Sequence, residues 1–189
     1  MKTSKDDVSE NSCIVWPPVV IIENTRQLKK SPKCSALKNK EVGSNFSGLK
    51  CKEIRAFLKR VCSVEYSSVI PLYDIRGPKG KTLVTFPGND LGYANARTLS
   101  DCFQRMGRGR EQWMKVMPKD FSTFEGWNTK NLVAKYGSRI LYGYIARPKD
   151  MEQLDPHKKT LKNWSAGNPE EKVHRPVRQR NQVILHLLH

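Results

Sequence analysis

Histidine is almost absent from this sequence. Its four histidines, His157, His174, His186 and His189, all fall in the last fifth of 189 residues. The body therefore has no imidazole, which excludes a Ser-His-Asp or Cys-His triad there unless the tail folds back. No two of the five cysteines, Cys13, Cys34, Cys51, Cys62 and Cys102, stand as C-x-x-C, so no zinc ribbon, finger or knuckle can be drawn. No apolar run approaches the ~18 residues that span a bilayer. The opening MKTSKDDVSE lacks the apolar stretch of a secretory signal. Lys2 stands where a myristoylated chain needs Gly, and no cysteine is near His189 to carry a prenyl group. Acids are few, and Asp74, Asp90 and Asp101 stand apart, so no carboxylate pair invites metal-ion chemistry. These absences predict an intracellular protein of cytoplasm or nucleus. They predict no enzyme, no metal, no cofactor and no membrane partner. The cysteines are expected as thiols, with Cys51, Cys62 and Cys102 buried on apolar helical positions.

What the chain has is positive charge. Lys plus Arg number 34 against 18 Asp plus Glu, a net +16. A field of that sign attracts polyanions, nucleic acid foremost. Hydrophobic residues make up 38%, which suffices for one core. Residues 1–12 are polar and read as disordered. Pro17 and Pro18 precede a β-branched run, Val19 to Ile22, that reads as a buried central strand. Residues 26–47 carry Arg26, Lys29, Lys30, Lys33, Lys38 and Lys40 before the first acid, Glu41. They read as a long basic loop, functional or disordered.

Ser47 is the expected N-cap of a first helix. Ile54, Phe57, Leu58, Val61 and Cys62 form its apolar stripe, and Lys52, Arg55 and Lys59 share another face. That basic face is either a phosphate-tracking surface or simply solvated. SSVIPLYD follows as a strand that Pro71 confines to a sheet edge. After the turn at Gly77, KTLVTF alternates as a strand. A second helix, capped by Asn89 or Asp90, runs to Gly107 with Ala96, Leu99, Cys102, Phe103 and Met106 on its apolar side. GRGREQWMK is a basic Gly-Arg segment. Residues 117–138 read as irregular, with Phe121, Phe124 and Trp127 as packing anchors. RILYGYIAR is the last clear strand, and no sustained periodicity follows Pro148. Strand, helix, strand, strand, helix, strand is an α+β pattern, the split βαβ or ferredoxin-like sandwich, whose sheet order is 4-1-3-2. The Pro71 strand would then lie at an edge.

GPKGKT, Gly77 to Thr82, is not a P-loop. Ile75 stands where the first glycine belongs, and a strand follows instead of a helix. The third-strand signature of an RNA-recognition domain fits better at Lys79, Gly80, Val84 and Phe86. Its two base-stacking aromatics are Lys81 and Leu83 here, and Ile21 replaces the first-strand aromatic. Stacking of ~1–3 kcal/mol per base is therefore missing from that face. Contacts to phosphate and sugar are expected, which suits duplex or structured RNA read by shape. Arg108 and Arg110, beside Trp113, are either a phosphate clamp or a solvated helix exit. Tyr142 and Tyr144 share one sheet face and either stack on bases or pack a core. An apolar face of Ile21, Leu83 and the tyrosines supports an alternative, a protein-interaction or dimerisation module.

Several stretches together resemble the XS domain, a plant module of small-RNA silencing proteins. They are VWPP with VVIIENT (Val15 to Thr25), VIPLYD (Val69 to Asp74), G-x-x-G-x-x-L-V-x-F (Gly77 to Phe86), LGYANA with L-x-x-x-F (Leu91 to Phe103), GR-x-x-W (Gly109 to Trp113) and LYGYIAR (Leu141 to Arg147). The resemblance covers residues 13–165, with residues 166–189 as a basic, disordered tail. It implies an RNA-recognition-like fold and a non-catalytic RNA-binding role in post-transcriptional silencing or RNA-directed DNA methylation, beside other silencing proteins. The expected RNA-binding residues are Lys52, Arg55, Lys59, Lys79, Lys81, Arg108, Arg110, Tyr142, Tyr144 and Arg147. Relatives usually carry a coiled coil, but this chain has no heptads, so the resemblance sets no oligomeric state.

Overall fold

The computed structural model of the chain describes residues 13–28, 46–75, 77–117, 132, 139–154, 164–168 and 172. In chain order its elements are β1 (Ile14–Trp16), β2 (Val19–Glu23), β3 (Arg26–Leu28), β4 (Phe46–Gly48), α1 (Cys51–Val61), β5 (Ser68–Asp74), β6 (Gly77–Thr85), α2 (Asp90–Arg105), α3 (Arg110–Val116), β7 (Tyr142–Ile145), α4 (Pro148–Leu154) and β8 (Ser165–Gly167). The protein mixes helices with antiparallel sheets. It divides into two compact units, Pro17–Ala146 and the smaller pairing of Met1–Trp16 with Arg147–His189.

In the larger unit a four-stranded sheet runs β5-β6-β2-β7, every neighbour antiparallel. All five residues of β2 are buried, as a β-branched run covered on both faces should be. β5 is an edge strand, where Pro71 leaves no central ladder bond unmade. Side chains alternate across the sheet. Val20 and Ile22 of β2, Val84 of β6, Ile54 and Leu58 of α1, and Ala96, Leu99 and Phe103 of α2 share one core. The rings of Phe57 and Phe103 lie 6.0 Å apart and tie α1 to α2. Close packing of α2 on β7 depends on Gly143, where a Cβ would meet the Phe103 ring at 2.4 Å. Asn89 caps α2, its side chain accepting the Gly92 N–H at 2.8 Å. Gly107, at φ 66°, lies just past the end of α2 in the left-handed region that glycine tolerates.

In the smaller unit β1 pairs antiparallel with β8, Ile14 opposite Gly167. Asp150 accepts the Arg147 N–H at 2.7 Å and so satisfies a donor at the start of α4. Met151 and Leu154 of α4 are buried.

Several expectations are corrected. Ser47 is not a cap: it lies in β4, which pairs with β3, and Lys50 is the N-cap of α1. The Glu53 carboxylate accepts the Lys50 N–H at 2.7 Å and helps to fix that helix start. Met106 is 39% exposed, because α2 has ended and its side chain has left the apolar face. Cys51, Cys62 and Cys102 are half-buried instead of buried. GRGREQWMK contains the helix α3, and the stretch after Pro148 holds α4 and β8, so the tail is not irregular throughout. Residues 1–12, Lys29 to Lys40, Phe121, Phe124, Trp127 and the final VILHLLH lie outside the described residues.

Candidate nucleic-acid interface

Ile54 and Leu58 are buried, which turns the opposite face of α1 to solvent. Lys52, Arg55 and Lys59 are exposed there. Their i, i+3, i+7 spacing stacks them along one side of the helix, over about 10 Å of its axis at ~1.5 Å per residue. Arg55 and Lys59 also line an open hollow of about 630 Å³ with Cys62, Ser63, Glu65 and Tyr66. Glu65 is its single acid against two cations, so the lining attracts anions.

Four of the other expected residues, Lys81, Arg110, Tyr142 and Tyr144, are engaged within the fold. Ile21 of β2 lies opposite Leu83 of β6 and Tyr144 of β7, so the three share the sheet face turned away from the core of α1 and α2. Ile21 and Leu83 have no exposed surface, and Tyr142 and Tyr144 are buried. Neither ring is open to a stacking base. Instead the Tyr144 hydroxyl donates to Glu23 Oε1 at 2.7 Å, and Lys81 Nζ donates to the same oxygen at 3.0 Å. The carboxylate is 1% exposed, and the two donors offset the cost of burying its charge. Arg110 lies over the Tyr144 ring at 4.1 Å and donates to the Ile145 carbonyl at 2.8 Å. Trp113 packs on Tyr142 with ring centroids 5.3 Å apart. The Arg108 carbonyl accepts the Gly143 N–H at 3.0 Å, so the chain before α3 runs beside β7. Burial pushes the Tyr142 hydroxyl above its ordinary pKa, against a smaller lowering by Arg108.

The Gly-Arg segment is thus a docked helix, and Arg110 is part of the scaffold. Lys79 and Arg108 are half-buried, and Arg147 belongs to the smaller unit. Of the ten expected residues, the structure leaves Lys52, Arg55 and Lys59 together on an exposed face.

Arg26, expected at the start of the basic loop, lies in β3, and Arg139 beside it escaped the sequence reading. Asn24, at φ 64°, donates its side-chain amide to the Leu132 and Ile140 carbonyls, both at 2.8 Å, and accepts from the Arg139 guanidinium. Burial first, and the like charge of Arg26 second, push Arg139 down to about 10. Basic residues flanking a strand are common, so Arg139 carried no distinguishing signal.

Among the described residues no cluster of three or more His, Cys, Asp or Glu could hold a metal ion. No described helix is long and apolar enough to cross a membrane. The sequence model of the family described as XS domain matches residues 11–153. The chain belongs to the XS domain family. This XS domain chain is 28% identical over 168 residues to Protein SUPPRESSOR OF GENE SILENCING 3 of Solanum lycopersicum, a match covering 88% of the chain and 22% of that protein. The protein of the same name in Arabidopsis thaliana is 29% identical over 169 residues, with 88% and 22% covered. A homolog in Oryza sativa subsp. indica is 26% identical over 145 residues, with 76% and 19% covered. The XS domain chain spans about a fifth of the length of these curated relatives.

Proposed function

We propose that this XS domain is a non-catalytic module that binds duplex or structured RNA through its phosphates, acting inside plant cells in small-RNA-mediated gene silencing. The observation that carries the reading is the exposed row Lys52, Arg55 and Lys59 beside a cation-lined hollow, while Tyr142 and Tyr144, the expected stacking rings, are buried. Phosphate contact without base stacking favours recognition of shape over sequence. The names of the relatives support the silencing context. The strand order β5-β6-β2-β7, with α1 and α2 on one face, supports reading the fold as RNA-recognition-like: renumbered within the sheet it is 4-1-3-2 from the β7 edge. A docking module would need Ile21 and Leu83 open, and both are buried, which favours the RNA reading. An electrophoretic shift assay with a short RNA duplex tests it. Binding at low salt with little dependence on sequence is expected, and no binding at low salt overturns it.

A further inference from the structure

The seam between α1 and α2 carries chemistry that RNA binding does not use. Cys62 is the C-cap of α1, and Cys102 precedes Phe103 on α2. The Phe57–Phe103 contact holds these helices side by side, and the thiol of Cys102 is the hydrogen-bonding neighbour of the Cys62 thiol. Both residues keep part of their surface in solvent, and Cys62 lines the open hollow. The backbone of Cys62 is extended, φ −159° and ψ 123°, and lies past the helix, so it can shift to make an S–S bond of about 2.05 Å. The Arg105 guanidinium donates to Cys102 Sγ at 3.2 Å.

We propose that Cys62 and Cys102 are a reversible redox pair that a peroxide closes into a disulfide joining the end of α1 to α2, and that a low-molecular-weight thiol reopens. Burial first, then the hydrogen bond and charge of Cys102, push the Cys62 thiol up to about 11, so Cys62 stays protonated at neutral pH. The first attack falls to Cys102, whose developing negative charge Arg105 accompanies. The Cys102 sulfur, having released its proton to solvent, attacks one peroxide oxygen. The O–O bond breaks, hydroxide leaves and is protonated to water, and Cys102 becomes a sulfenic acid. The Cys62 sulfur then attacks the Cys102 sulfur: the S–S bond forms, the S–O bond breaks, and the departing hydroxide leaves as water with the Cys62 proton. Two thiols and one peroxide give one disulfide and two waters. Reduction consumes two thiol equivalents and returns both cysteines.

The test uses the full chain and no RNA, so it succeeds or fails separately from the RNA reading. The protein is treated with one equivalent of hydrogen peroxide, its remaining thiols are alkylated, and its peptides are mapped by mass spectrometry. A Cys62–Cys102 linked peptide is expected, with a melting temperature raised by roughly 5–10 °C because the link closes a long loop of the unfolded chain. Dithiothreitol should reverse both changes. Cys62→Ser and Cys102→Ser should each abolish the link, and Cys51→Ser should keep it. Where a serine variant does not fold, Cys62→Ala serves in its place. The proposal is overturned if Cys62 and Cys102 are recovered alkylated after oxidation. It is equally overturned if either is linked to Cys13, Cys34 or Cys51, or if Cys102 goes on to sulfinic acid while Cys62 stays a free thiol.

Discussion

Replacing Gly143 by alanine probes the packing of α2 on β7. The new methyl carbon would lie 2.4, 2.5 and 2.9 Å from three ring carbons of Phe103. Ordinary carbon contacts are ~3.5–4.0 Å, so ring or strand must give way by about 1 Å. The ring has little freedom to do so, since Phe103 has no exposed surface and Phe57 stands against it. Overpacking of this kind costs about 1–3 kcal/mol. Alanine restricts the unfolded chain more than glycine does, which returns about 0.5–1 kcal/mol. Contacts as short as 2.4 Å against a pinned ring put the cost in the upper half of that range, about 2–3 kcal/mol, so the net expectation is a loss of about 1–2.5 kcal/mol, or a melting temperature lower by roughly 3–10 °C. Urea and thermal unfolding measure it. Adding Phe103→Leu should relieve the clash, so that the double variant loses less than the two single losses combined. A Gly143→Ala protein within about 0.3 kcal/mol of the parent would refute the argument, because an offset that complete requires a ring free to move.

Two further outcomes follow from polar groups that the fold removes wholly or partly from water. Tyr144→Phe keeps the ring under Arg110 but removes the 2.7 Å bond to the buried Glu23 carboxylate. It should lower the unfolding free energy by about 1.5–3 kcal/mol in urea titration, and a loss below about 0.5 kcal/mol would contradict the network. The Cys62 thiol is raised from 9.0 to about 11 in the folded protein. A raised value stabilises the fold below the unfolded pKa, and that contribution is lost as pH climbs through the folded one. Unfolding curves of the reduced protein should therefore show stability falling between pH 9 and 11, and Cys62→Ser should fall less steeply. Arg139, lowered to about 10, works in the opposite direction, so the informative quantity is the difference between parent and variant. Identical slopes would contradict the assigned shift.

Legibility followed the range of the forces involved. β2 was readable because four consecutive β-branched residues, Val19 to Ile22, lie between Pro17-Pro18 and Asn24-Thr25, and the strand runs one residue further, to Glu23. The edge position of β5 was readable because proline lacks one donor, and the cap of α2 because an asparagine stands beside its first turn. Ser47 misled because an antiparallel pairing with Gln27 claims it, and such a partner leaves no local trace. Helix α3 has seven residues, too few for periodicity, and its docking rests on Trp113 meeting Tyr142. Period two placed Tyr142 and Tyr144 on one face, but what covers that face depends on residues far along the chain. Glu23 shows the same limit: its partners Lys81 and Tyr144 lie 58 and 121 residues away. The basic row of α1 was legible because it is local, and exposure separated it from Lys81 and Arg110.

The most direct test of phosphate-dominated binding is the salt dependence of affinity for a short RNA duplex. It is measured for the parent and for the triple variant Lys52→Ala, Arg55→Ala, Lys59→Ala. Each phosphate contact contributes about −0.7 to −0.9 to the slope of log K against log salt. The account predicts a steep parent slope that the variant flattens by about 2–3 units, with the melting temperature unchanged because all three side chains are exposed. A triple variant with the parent's slope, or an affinity indifferent to salt, would contradict it.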